Sequence, residues 1–121
     1  MSDSTEEPTE KLAGKSCKPC EGGVKPLDRD AATALLNQLI DWELTPDAKT
    51  IQRSFRFKNY YPTMAFVNAV AWIAHQQDHH PELEISYNRC VIHYSTHAIG
   101  GLSENDFICA AKIDALLITE E

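Results

Sequence analysis

The sequence has no cluster of basic residues: 11 lysines and arginines lie scattered against 18 aspartates and glutamates, for a net charge of −7. A chain that meets nucleic-acid phosphates needs a basic face. Nucleic acid is therefore not an expected partner, and an anionic membrane surface is disfavoured for the same reason. No apolar run approaches the roughly 20 residues needed to span a bilayer. The opening MSDSTEEPTE is acidic and polar, which is not the pattern of a secretory signal. A cytoplasmic location is the expectation, with Cys17, Cys20, Cys90 and Cys109 mostly reduced there. Cys17 and Cys20 form a C-x-x-C, yet no second C-x-x-C follows and no βαβ pattern surrounds it. Half a zinc site, a redox pair and an incidental spacing all remain open for it. Residues 1–16 lack aromatics and periodic apolar positions and read as a tail that packs on nothing.

What is present is histidine. All 5 histidines, His75, His79, His80, His93 and His97, fall in one stretch. Their ordinary pKa, about 6.5, lets them exchange protons near neutral pH.

At 121 residues the chain is long enough for one core. We expect a flexible segment carrying the C-x-x-C over residues 1–25 and one folded domain over residues 26–121. Asp28 is a fair N-cap with Leu27 before it, and Ala32, Leu35, Leu36 and Leu39 recur at helical spacing. Trp42 to Leu44 reads as a short strand, and Thr45 to Lys49 as a turn. Ile51 to Phe57 alternates as a half-buried strand. Pro62 to His79 reads as a helix, apolar almost all round from Met64 to Ala74. Such a helix is deeply buried or lies at a subunit contact. Leu83, Ile85 and Tyr87 give a third strand, Asn88-Arg89 a turn, and Cys90 to His97 a fourth strand. Ser103-Glu-Asn-Asp106 has the form of a capping box opening the last helix. The order α-β-β-α-β-β-α predicts an α+β domain, a four-stranded antiparallel sheet with three helices on one face.

Pro81 disfavours the α region at the residue before it. The sequence thus predicts His79 in the last helical turn and His80 beyond it in an extended conformation. Partial negative charge at the helix end favours a protonated imidazole, which suits general-acid work. A polar helix end facing solvent explains the same pair equally well. His75 and His79 are spaced i, i+4, which admits zinc on one helix face, but Gln76 follows His75 and the H-E-x-x-H glutamate is missing. His93 reads as a plain strand residue, and capping alone explains Asp106.

Taken together, Asp78-His-His-Pro-Glu82, Tyr87-Asn88, Ser95-Thr-His97 and Gly101-Leu-Ser-Glu-Asn-Asp106 resemble the signature of the pterin-4a-carbinolamine dehydratases. The resemblance covers about residues 26–117 and implies the same α-β-β-α-β-β-α fold. It implies an enzyme that dehydrates a 4a-hydroxy-tetrahydropterin to the quinonoid dihydropterin, in the recycling of tetrahydrobiopterin. On this chain the implied catalytic residues are His79, His80 and His97. The implied substrate-binding residues are Asp106, Pro81, Glu82, Ser95 and Thr96. No metal and no cofactor are expected, since the tetrahydropterin is the substrate. A homodimer or homotetramer is implied, with an aromatic amino acid hydroxylase in the same pathway. Animal members also serve as dimerisation cofactors of a transcription factor, so a binding or regulatory protein is the alternative. Many members carry a glutamate where this chain has His75 and an aromatic where it has Leu83.

Overall fold

The computed structural model describes residues 11–19 and 24–117. Its elements are α1 (Arg29–Leu36), β1 (Glu43–Leu44), β2 (Ile51–Arg56), α2 (Tyr60–Gln77), β3 (Glu82–Ser86), β4 (Arg89–Tyr94) and α3 (Glu104–Leu116). The four strands pair antiparallel in the order β1-β2-β4-β3. This is the α+β architecture that the periodicities predict. One face of the sheet, with Ile51, Phe55, Cys90, Ile92 and Tyr94, is buried in the core.

Local signals explain where the helices begin. Asp28 accepts a hydrogen bond from Ala31 N at 2.8 Å and caps α1. Asn59 caps α2 by accepting from Tyr61 N. Pro62 falls in the first turn of α2, where its missing N–H costs no intrahelical bond. Only one stripe of α2 is buried: Thr63, Phe66, Val67, Val70 and Ile73. Its other side exposes Tyr61 and Trp72.

Asp114 on α3 ties the layers together. It is nearly buried, and it accepts from Ile40 N at 3.0 Å, Trp42 Nε1 at 2.8 Å and Arg53 Nη1 at 2.8 Å. The helix, the sheet and the segment that precedes β1 thus meet at one carboxylate. A buried charge is tolerated only when paired and hydrogen-bonded in this way.

Several boundaries differ from the sequence reading, among them the start of α2, which is Tyr60 and not Pro62. The fourth strand ends at Tyr94, and a short 3-10 turn begins at His97. The β3–β4 hairpin pairs Ser86 with Arg89, so its two turn residues are Tyr87 and Asn88. The first helix stops at Leu36, and Leu39 follows in hydrogen-bonded turns. The tail differs as well. Leu12, in a 3-10 turn (Leu12–Gly14), is only 3% exposed and belongs to the core. Lys112 Nζ on α3 donates to Ala13 O at 2.8 Å. Residues 11–19 are therefore packed, contrary to the flexible reading; residues 1–10 and 20–23 of that segment lie outside the described residues. One isolated leucine has no period to betray it.

Leu12→Ala should destabilise the protein by about 2–5 kcal/mol, the usual cost of emptying a buried leucine site. Urea denaturation checks this; an unchanged midpoint would mean that the N-terminal turn does not pack in solution.

Candidate active site

Two backbone devices bring the site together. The first ends α2. Asp78 adopts a left-handed conformation, φ 53° and ψ 45°, and His79 N donates back to Ala74 O at 3.1 Å. With Asp78 N bonded to His75 O, this is the Schellman arrangement, carried by aspartate instead of glycine. His79 therefore lies just after the helix, not in its last turn as the sequence predicts. The i, i+4 pairing of His75 with His79 on one helix face does not form.

The second device opens α3. Ser103 and Asp106 form the predicted capping box. Asp106 is fully buried, and its two oxygens have separate duties. Oδ2 accepts from Ser103 N at 3.0 Å and from Thr96 Oγ1 at 2.8 Å. Oδ1 faces His79 Nε2 at 2.6 Å. Gly101 lies in the turn between Thr96 and Ser103. A Cβ there would stand 2.7 Å from Pro26, so this turn tolerates no larger residue.

His79 is held on its other sides too. Its ring stacks on Tyr94 at 5.3 Å with a 12° interplanar angle, and Tyr94 Oη donates to His79 O at 3.0 Å. Burial pushes the His79 imidazole toward the neutral form. The hydrogen bond and negative charge of Asp106 outweigh that, and its pKa is raised above the ordinary histidine value. Burial likewise pushes the Tyr94 phenol up, which keeps it a donor.

His79, His80, Ser95, Thr96 and His97 line one cleft of about 560 Å³. Within it Thr96 is buried, with its hydroxyl occupied by Asp106 and Ser103. Asp106 and Thr96 thus orient the wall of the cleft, while His80 and His97 are exposed at it. Pro81 lies instead in an adjoining recess of about 400 Å³ with His75 and Leu83, which also reaches His79 and His80. Glu82 lines a third recess with His80, His93, Ser95 and His97. Its carboxylate stands 4.0 Å from His97 Nε2, both side chains being 74% exposed. A pair so open to water interacts weakly. His93 bonds Glu84 at 2.6 Å on the solvent side of the sheet. His80 alone among the histidines borders all three recesses.

Sequence reasoning missed Tyr94, Gln77, Asn105 and the segment Cys17-Lys-Pro19, all near or lining the cleft. Tyr94 carries a faint signal: it stands two residues before Thr96 on the buried side of an alternating strand. The N-terminal segment carries none, because only long-range hydrogen bonds hold it. Among the described residues no group of three or more His, Cys, Asp or Glu side chains is gathered to hold a metal ion.

Residues 25–116 match the family model described as pterin 4 alpha carbinolamine dehydratase. A Nitrosomonas eutropha protein, provisionally named a pterin-4-alpha-carbinolamine dehydratase, is 62% identical over 89% of this chain and 95% of its own length. A Legionella pneumophila protein with the same provisional name is 54% identical over 91% of this chain and 98% of its own. A crystal structure of a transcriptional coactivator/pterin dehydratase from Brucella melitensis matches with a TM-score of 0.72 and 32% identity, covering 76% of this chain and 98% of that one. A pterin dehydratase-like protein, identified as a RuBisCO assembly factor in the alpha-carboxysome, shares the fold at a TM-score of 0.56 and 23% identity, over 64% of this chain and 89% of that one.

The His79–Asp106 pair makes a signed prediction. A histidine whose folded pKa is raised contributes stability that is fully present below its unfolded pKa, about 6.5, and is lost as pH rises through the folded value. In an NMR titration, His79 should titrate above that ordinary value in the wild type. In Asp106→Asn burial is opposed only by the charges of Cys109 and Asp78, and His79 should titrate lower than in the wild type. The same midpoint in both proteins would separate the carboxylate from the imidazole's charge.

Proposed function

The chain belongs to the pterin 4 alpha carbinolamine dehydratase family, and from that premise we propose that it dehydrates a 4a-hydroxy-tetrahydropterin to the quinonoid dihydropterin by histidine acid–base catalysis. In this reading it acts in the cytoplasm and recycles the cofactor of an aromatic amino acid hydroxylase. One observation carries the proposal: histidines from the α2–β3 corner and from the 3-10 turn after β4 line a single cleft, and one of them is backed by a buried carboxylate.

The reaction expels the C4a hydroxyl as water. It needs a proton delivered to the leaving oxygen and a ring N–H proton removed. Oxidation state is unchanged when water departs, so the balance calls for no redox partner. Asp106 occupies His79 Nε2, which leaves Nδ1 as the nitrogen that exchanges a proton with substrate. The raised pKa of His79 favours the acid form. His80 and His97 complete the proton transfers, each step contributing about 10²–10⁴-fold. Asp106 and Thr96 fix His79, while Ser95, Pro81 and Glu82 border the substrate. His75 and Leu83 share the recess beside Pro81 and so shape the rim on that side.

The division of labour is testable with synthetic 4a-hydroxy-tetrahydropterin in a stopped-flow assay. His80→Ala should lose more of kcat than His79→Ala or His97→Ala. The His79/His97 double change should lose far more than the singles multiply to, because residues that act as a unit are not additive. His93→Ala should stay within roughly a few-fold of wild type. Full activity in His80→Ala, or an equally deep loss in His93→Ala, would move the site elsewhere.

The same reading includes self-association. Tyr61 is 77% exposed and Trp72 59% on α2, with Ile85 and Tyr87 exposed at the β3 edge of the sheet. Aromatic surface left open on this scale marks an interaction face. A binding or regulatory role would use that face as well, and the Brucella relative is described by both activities. Sedimentation at micromolar concentration should show a dimer or tetramer; a lone 13.6 kDa species would refute it.

A further inference from the structure

Dehydration makes no use of Cys17, yet the chain holds it with care. Cys17 N donates to Gln77 Oε1 at 2.8 Å, at the end of α2. Lys18 N donates to Asn105 Oδ1 at 3.0 Å, and Asn105 Nδ2 returns a bond to Lys18 O at 2.6 Å. The strap so pinned forms one wall of the cleft. Beneath it, Cys17 Sγ lies 3.6 Å from Cys109 Sγ on α3, two thiols 92 residues apart in sequence.

We propose that Cys17 and Cys109 are a redox-modification site, which a low-molecular-weight disulfide converts into a covalent clasp between the strap and α3. Cys17 is half-buried and borders the cleft, whereas Cys109 is fully buried, so Cys17 is the point of entry. Cys109, the more acidic of the two thiols, gives up its proton first and as thiolate takes the proton of Cys17 while the Cys17 sulfur attacks one sulfur of the small disulfide; the displaced thiolate then takes that proton from Cys109. Cys109 then attacks the Cys17 sulfur and expels the second thiolate. Two protein thiols and one disulfide give one protein disulfide and two small thiols, with two electrons passing to the reagent. The pair is prepared for this exchange. The hydrogen bond from Cys17, helped by Tyr94, holds Cys109 below the ordinary thiol range against the effect of burial, while the same bond and burial raise Cys17. The first proton to leave is therefore that of Cys109, whose thiolate stands 3.6 Å from Cys17 Sγ and serves as the base for it. Asn105 and Cys109 stand i, i+4 on α3, so the helix turn that pins the strap also presents the second thiol.

The test treats the full-length protein with oxidised glutathione, alkylates the remaining thiols and maps the peptides by mass spectrometry. The expected product is a Cys17–Cys109 cross-link accompanied by a Tm rise of at least about 5 °C, as closure of so long a loop implies. Dithiothreitol should reverse both. Cys20→Ser should keep the cross-link and the shift, and Cys17→Ser should lose both. A Cys17–Cys20 cross-link, glutathione adducts with no cross-link, or a cross-link without a Tm rise would overturn the proposal. None of these readouts involves a pterin, so they stand or fall apart from the dehydratase reading.

Discussion

The carboxylate of Asp106 is the constraint on which the rest depends. It lies wholly out of water, and such a charge survives only if its oxygens are met by donors. The donors come from three places: the backbone of Ser103, the hydroxyl of Thr96 and the ring of His79. Satisfying one acid therefore fixes the start of α3, the turn leaving β4 and the corner after α2. The positive end of α3 adds to the same balance. Fold and site are not separable here, because the group that caps the helix also sets the charge of the imidazole.

Much of this was legible in the sequence, for a reason that varies with the element. Alternation in Ile51 to Phe57 and Cys90 to His97 marked the strands, though the second ends at Tyr94, since one face is buried and the other is not. The capping box declared itself because both partners lie within one turn. The end of α2 was legible only in part. Pro81 announced a stop, but the stop comes at Gln77, where Asp78 turns left-handed, and no local propensity specifies that aspartate over a further helical turn. Tyr94 was readable as a core residue but not as the platform beneath His79, since that stacking joins residues from different elements. Leu12 was invisible for the same reason at longer range.

The resulting site is uneven. His79 is clamped by an acid, an aromatic face and a phenol, and only 13% of its side chain meets solvent. His97 is largely in water, beside an equally open Glu82. One imidazole thus has a fixed position and a tuned charge, while the other is free to follow a ligand. The wall opposite is supplied by residues 17–19, which precede the stretch matched by the family model.

The N-terminal turn has a consequence for synthesis. Ala13 and Lys112, which bond each other, are 99 residues apart. A ribosome adding about 5–20 residues each second makes Leu12 roughly 5–20 s before α3 has been translated. Through that interval the leucine has no core to enter and Cys17 has no neighbour on α3. The earliest described segment of the chain is thus among the last to find its place, because its partners lie on α3, the last of the described elements to be made.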